Sequence, residues 1–122
     1  MKNILASKLQ STQPYTNQEL AWLLENIGHP DSDIRDKLVY ATFCHILLNG
    51  LITREQAQEL LQRSLDTKPF SLEASTLKRS FTCLLYCLLL SVDNDSESIY
   101  HAFLNDEDRE LLFATCLGLF GD

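Results

Sequence analysis

Apolar residues recur every three or four positions along nearly the whole chain, and no stretch alternates apolar with polar long enough to form a half-buried strand. The pattern predicts about seven helices. A short first one covers 2–10, with Ile4, Leu5 and Leu9 on one side, and Ser11-Thr12-Gln13-Pro14 ends it. The second opens on Thr16-Asn17-Gln18-Glu19, a capping box in which the Thr and Glu side chains satisfy each other's orphan amides. Leu20, Leu23, Leu24 and Ile27 form its stripe, Gly28 stops it and Pro30 prevents continuation. Asp31-Ser32-Asp33 starts the third, placing acid at the positive end of the helix dipole. Its expected stripe is Ile34, Leu38, Ala41, His45 and Leu48, with Val39, Phe43, Ile46 and Leu47 on other sides, so it needs partners on more than one face. Asn49-Gly50 closes it.

Thr53 and Gln56 make a second capping box, and Ala57, Leu60, Leu61 and Leu65 give the fourth helix one apolar face. The segment 66–71, with Pro69, reads as irregular. The fifth helix, 73–91, is almost wholly apolar after Phe81 and belongs at the centre of the domain. Asp93-Asn94-Asp95-Ser96 interrupts it. A short sixth helix is expected through Ile99, Tyr100, Phe103 and Leu104, and Asn105 caps a seventh that carries Leu111, Leu112, Leu117 and Leu119. At 122 residues the chain suits a single domain. Its capped openings at Thr16, Thr53 and Ser96 recur at about the 40-residue spacing of paired-helix repeats. The expected architecture is an all-α domain over 1–122, with antiparallel helix pairs at 16–50, 53–92 and 96–121 in a HEAT-like, α-solenoid arrangement. His29-Pro30-Asp31-Ser32-Asp33-Ile34-Arg35 resembles the turn and second-helix opening of a HEAT repeat.

A more particular likeness covers the middle of the chain. The blocks Ile27-Gly28-His29-Pro30-Asp31-Ser32-Asp33-Ile34-Arg35-Asp36, Asn49-Gly50-Leu51-Ile52-Thr53-Arg54-Glu55-Gln56 and Lys78-Arg79-Ser80-Phe81 resemble the uncharacterised bacterial family called domain of unknown function 2785. The resemblance implies an all-helical, HEAT-like fold and names no activity. It also implies a further segment rich in Trp, His and Asp, which this sequence does not contain. The last predicted helix is apolar on several faces, whereas a helical array normally finishes with a polar outer face. Both points lead to the expectation of a chain that is the N-terminal part of a longer protein, or of a last helix covered by a partner.

Charge changes the picture of partners. The formal net charge is −7 with 45% hydrophobic residues. Residues 1–92 balance nine acids against nine bases, while 93–122 hold eight acids and Arg109 alone. A chain so acidic is a poor counterion substitute for phosphates, so nucleic acid is not an expected partner. No apolar run approaches the length of a membrane span, and Lys8 and Gln10 break the N-terminal apolar run, so no membrane association is expected. Cys44, Cys83, Cys87 and Cys116 all lie within apolar stretches, which reads as buried free thiols in a reducing cytoplasm.

Candidate chemistry is sparse. Asp93-Asn94-Asp95-Ser96-Glu97 imitates a calcium loop, but Ser98 and Leu104 stand where Gly and Glu are required, leaving a capped turn. Cys83 and Cys87 have the i, i+4 spacing of two metal ligands but no His or acid near them, so core packing is expected and no metal or cofactor. Cys44 and His45 point about 100° apart on a helix, which spoils a nucleophile-and-base pair, and His45 is expected to be buried and hydrogen-bonded. Trp22, off its helix's main stripe, is expected to pack beneath the first helix with Leu5 or Leu9. The absence of phosphate-loop, nucleophile-elbow and zinc-protease motifs leans away from an enzyme, and no residue reads as catalytic. Arg35, Asp36, Lys78 and Arg79, near the openings of the two most apolar helices, are the residues for contact with a ligand or partner. The function expected is a non-enzymatic module that binds protein or peptide. An enzyme or small-ligand protein whose site lies mostly beyond residue 122 is an alternative, as is a protein that self-associates into homo-oligomers through 111–120.

Overall fold

The computed structural model describes residues 1–66 and 75–120, with side chains through residue 117. Its secondary structure among the described residues is entirely helical. Helix α1 is Lys2–Lys8 and α2 is Asn17–Glu25. Helix α3 runs without a break through Ser32–Ile34, a π-helical stretch Arg35–Tyr40, and Ala41–Asn49. Helices α4, Arg54–Asp66, α5, Thr76–Asn94, and α6, Asp106–Phe120, complete the set. The expected irregular segment around Pro69 falls largely outside the described residues.

Local chemistry sets the helix ends. Thr16 Oγ1 accepts the Glu19 N–H and the Glu19 carboxylate accepts the Thr16 N–H, and Thr53 and Gln56 repeat the exchange. Asp31, Ser75 and Asn105 accept amides of the first turns of α3, α5 and α6. Gly50 ends α3 at φ +67°, the left-handed conformation that glycine adopts without a Cβ penalty.

Packing follows two parallel seams. Gln56 Nε2, at the start of α4, donates to Asn17 Oδ1, at the start of α2, and to the Tyr15 carbonyl. Further along, Leu20 and Leu60 meet in the same cleft, so α2 and α4 lie side by side in one direction. Early in α3, Arg35 and Tyr40 lie against Phe81 of α5, and late in α3, Leu47 and Leu48 share a groove with Val92. Helices α3 and α5 are therefore parallel as well. Between the seams lies the core, with Leu23, Phe43, Ile46, Leu60, Leu61, Leu85, Tyr86 and Leu89 buried. The apolar helix expected at the centre does sit there: α5 packs on α3 and α6, and its Tyr86 hydroxyl meets Ser64 Oγ of α4 at 2.9 Å.

Helix α6 departs from the pattern. Its Arg109 reaches Asp93 near the end of α5, and its Cys116 reaches Cys83 and Cys87 earlier in α5, so α5 and α6 form an antiparallel hairpin. The helix pair expected at 96–121 is thus a single helix preceded by turns, and the described residues form six helices rather than seven. Residues 95–105 are non-helical because Asp93 claims them: its backbone carbonyl accepts the Ala102 N–H and its carboxylate accepts the Leu104 N–H. Ala102 is bent to φ +58° to allow this. Tyr100 then enters the core, where its hydroxyl donates to the Ile52 carbonyl at 2.7 Å and accepts the Ile52 N–H.

The π-helical stretch corrects the expected face of α3. A π turn holds about one residue more than an α turn, so the buried positions slip forward by one after it. Leu38, Val39, Thr42, Phe43, Ile46 and Leu47 face inward, His45 and Ala41 are half-buried, and Leu48 is exposed.

Candidate functional site

The four residues expected to contact a ligand lie near one corner, where the α2–α3 turn meets the start of α5, but they do not share a cavity. Arg35 caps that turn by donating to the His29 carbonyl, pairs with Asp36 at 2.9 Å, and stacks its guanidinium over the Phe81 ring. Asp36 is exposed. Lys78 lines a groove of about 430 Å³ with Ile27, His29 and Pro30, from which Arg35, Asp36 and Arg79 are absent. The turn sits tight against α5: a Cβ on Gly28 would come within 2.8 Å of the Lys78 backbone. Arg79 is half-buried one residue further along α5.

A second polar group fastens the N-terminus. Lys8 Nζ reaches Glu19 at 2.7 Å and the Pro14 carbonyl at 2.8 Å, and lies over the Tyr15 ring. Burial alone would raise the Glu19 carboxyl, but the Lys8 ammonium and the Thr16 amide outweigh it and hold the group below its ordinary range. His45 Nε2 donates to the Ser11 carbonyl at 2.6 Å, and its ring meets Tyr15 edge-on. The histidine is hydrogen-bonded as expected, though half-buried rather than buried. Trp22 is half-buried against the core. These contacts fix the backbone that joins α1 to α2.

At the other end Asp93, nearly buried, receives Arg109 Nε at 2.7 Å, and Arg109 also donates to the Leu104 carbonyl and to Asp106. Burial pushes the Asp93 carboxyl up. Arg109 and the Leu104 N–H outweigh this and hold the carboxyl below its ordinary range. The acidic run that imitates a calcium loop is thereby divided, since Asp93 turns inward while Asp95 caps its own turn through the Glu97 N–H.

Beyond this ion pair the α5–α6 hairpin opens into a groove of about 620 Å³ lined by Leu90, Ser91, Asp93, Arg109, Phe113 and Leu117, with Cys87 and Cys116 on its wall. Phe113 and Leu117, one helical turn apart, are more than half exposed, and Leu111 is nearly so. Cys83, Cys87 and Cys116 bring their sulfur atoms within 4.8 Å of one another, with 3.4 Å between Cys87 and Cys116. Cys83 is buried, Cys44 and Cys116 are half-buried and Cys87 is exposed, so the expectation of buried thiols holds only at Cys83. Cys116 of α6 contacts both the Cys83 carbonyl and Cys87 Sγ, and Cys87 lines the groove. Burial pushes the Cys83 and Cys116 thiols up, and the neighbouring thiols push Cys116 further in that direction.

No protein-family model, curated protein or solved structure matches the chain. The hairpin offers an apolar groove with one charged end and one thiol-rich wall, and the described helices include none long and apolar enough to cross a membrane. Cys116 is the residue that sequence reasoning failed to join to Cys83 and Cys87. Its one signal was position: Arg109 and Cys116 are two turns apart on α6, the separation needed to reach Asp93 and Cys87 on an antiparallel α5.

Proposed function

We propose that this chain is a non-enzymatic helical interaction module of HEAT-like build, which binds a basic amphipathic helical segment of a protein partner along α6. The carrying observation is the pair Phe113 and Leu117, exposed beside the α5–α6 groove on a helix that, among its described side chains, fully buries Leu112 alone. The parallel seams α2–α4 and α3–α5 support the HEAT-like build, because stacked helix pairs align first helix with first and second with second. The resemblance of the middle blocks to domain of unknown function 2785 points the same way. Charge favours a basic partner, since eight acids and one base lie in residues 93–122.

The experiment uses a fluorescein-labelled peptide with Leu at i, i+3, i+4 and i+7 and Lys elsewhere. Saturable binding that weakens at least about tenfold in the Phe113→Asp/Leu117→Asp variant, and is unchanged in Ile4→Asp, is the expected result. Ile4 is a fitting control because it is equally exposed, on α1. Equal binding by all three proteins, or by none, overturns the proposal. A dimer in sedimentation that becomes monomeric in the double variant replaces the peptide with a second copy of this chain.

A further inference from the structure

The thiol cluster shares a groove with Phe113 and Leu117 but has a chemistry of its own. We propose that Cys83, Cys87 and Cys116 bind one thiophilic d10 cation, zinc(II), through three thiolates, with an exogenous ligand such as water in the fourth position. Zinc–thiolate bonds of about 2.3 Å place the sulfur atoms of a tetrahedral site about 3.8 Å apart. The cluster brackets that value, with one pair at 3.4 Å and all pairs within 4.8 Å, a difference that small rotations about χ1 absorb.

Three features point to a cation rather than packing. The donors come from two helices, two of them at i, i+4 on α5 and the third on α6, so a metal at their centre would tie the hairpin at the end opposite Asp93–Arg109. All three donors are soft sulfur, and no carboxylate or imidazole joins them among the described residues, which selects zinc-like over magnesium- or calcium-like ions. Cys87 is exposed and stands on the groove wall, which supplies both an entry path and room for the fourth ligand. Sulfur used only as apolar filling has no reason to be placed at solvent. Binding replaces three S–H bonds with three Zn–S bonds, the protons pass to water, and no electron moves.

The test uses the full chain, reduced by a thiol-free phosphine under argon. Zinc is titrated in competition with a chromophoric chelator, and cobalt(II) serves as the spectroscopic probe. The expected result is one zinc per chain, with a thiolate-to-cobalt charge-transfer band that zinc abolishes. Cys87→Ser is the decisive variant, because its side chain is exposed and its fold is not at stake; it should weaken zinc binding at least about a hundredfold, as should Cys83→Ser and Cys116→Ser. Cys44→Ser, outside the cluster, should bind as the unmodified chain does. No retained zinc, or equal affinity in Cys87→Ser, overturns the proposal. So does a reduced chain that ignores zinc but closes a Cys87–Cys116 disulfide on addition of peroxide.

Discussion

The two parallel seams and the α5–α6 hairpin hold their helices by different means. Along α2–α4 and α3–α5, Leu20 meets Leu60, the Tyr40 ring meets Phe81 and Leu47 meets Val92, and polar groups appear where helices begin. The hairpin buries Leu112 between an ion pair at one end and three thiols at the other, and leaves Phe113 and Leu117 at solvent. A helix that buries few apolar side chains, as α6 does among those described, opens at a lower free energy than helices whose apolar stripes are buried whole. The seams hold most of the buried core, and the hairpin carries the exposed Phe113 and Leu117.

The largest effect that separates them should come from the core. Phe43→Ala, beneath both seams, should lower global stability by about 3–5 kcal/mol, seen as one urea transition shifted for fluorescence and circular dichroism alike. Asp93→Ala should cost less, about 2–3 kcal/mol, and its effect should be local. Hydrogen exchange should rise in 95–117 and stay slow in α2 and α3. The same pair sets a pH response. A carboxyl held below its ordinary range stabilises the fold above that range and loses the contribution as pH falls through its folded value, so the hairpin should loosen below about pH 4. Glu19, held down by Lys8, should loosen α1 in the same window, which nuclear magnetic resonance of the two segments can resolve.

Smaller changes sharpen the boundary between the two regions. Tyr100→Phe removes a hydroxyl that serves both the Ile52 N–H and its carbonyl, and should cost about 1.5 kcal/mol while detaching 95–105 from the start of α4. Ala102→Gly should do the reverse. Relief of the left-handed backbone at φ +58° should raise stability by about 0.5–1 kcal/mol, read as a higher urea midpoint with unchanged slope.

The α2–α4 seam was legible in the sequence because periodicity and capping agreed there. Leu20, Leu23, Leu24 and Ile27 are buried as a set, as are Ala57, Leu60 and Leu61, and both capping boxes form. In α3 the same periodicity misled, since a π turn shifts the face and neither Arg35 nor Tyr40 announces it. Ile99, Tyr100, Phe103 and Leu104 have helical spacing, yet Asp93 takes up the backbone amides of 102 and 104 from outside the segment. Spacing cannot register a competitor so placed. The candidate residues Arg35, Asp36, Lys78 and Arg79 were found near one corner, with Arg35 committed to backbone, Asp36 and Phe81. The thiol cluster stayed hidden because its third member is 29 residues from Cys87, and only the antiparallel return of α6 brings it back.

Native-state hydrogen exchange of the reduced chain, with and without zinc, tests most directly the claim that α6 opens more readily than α2 and α3 and is tightened by a ligand. The account predicts that 106–117 exchanges faster than α2 and α3 without zinc, and that zinc slows 106–117 while leaving α2 and α3 unchanged. Uniform protection across all helices, or zinc that slows no part of α6, would contradict it.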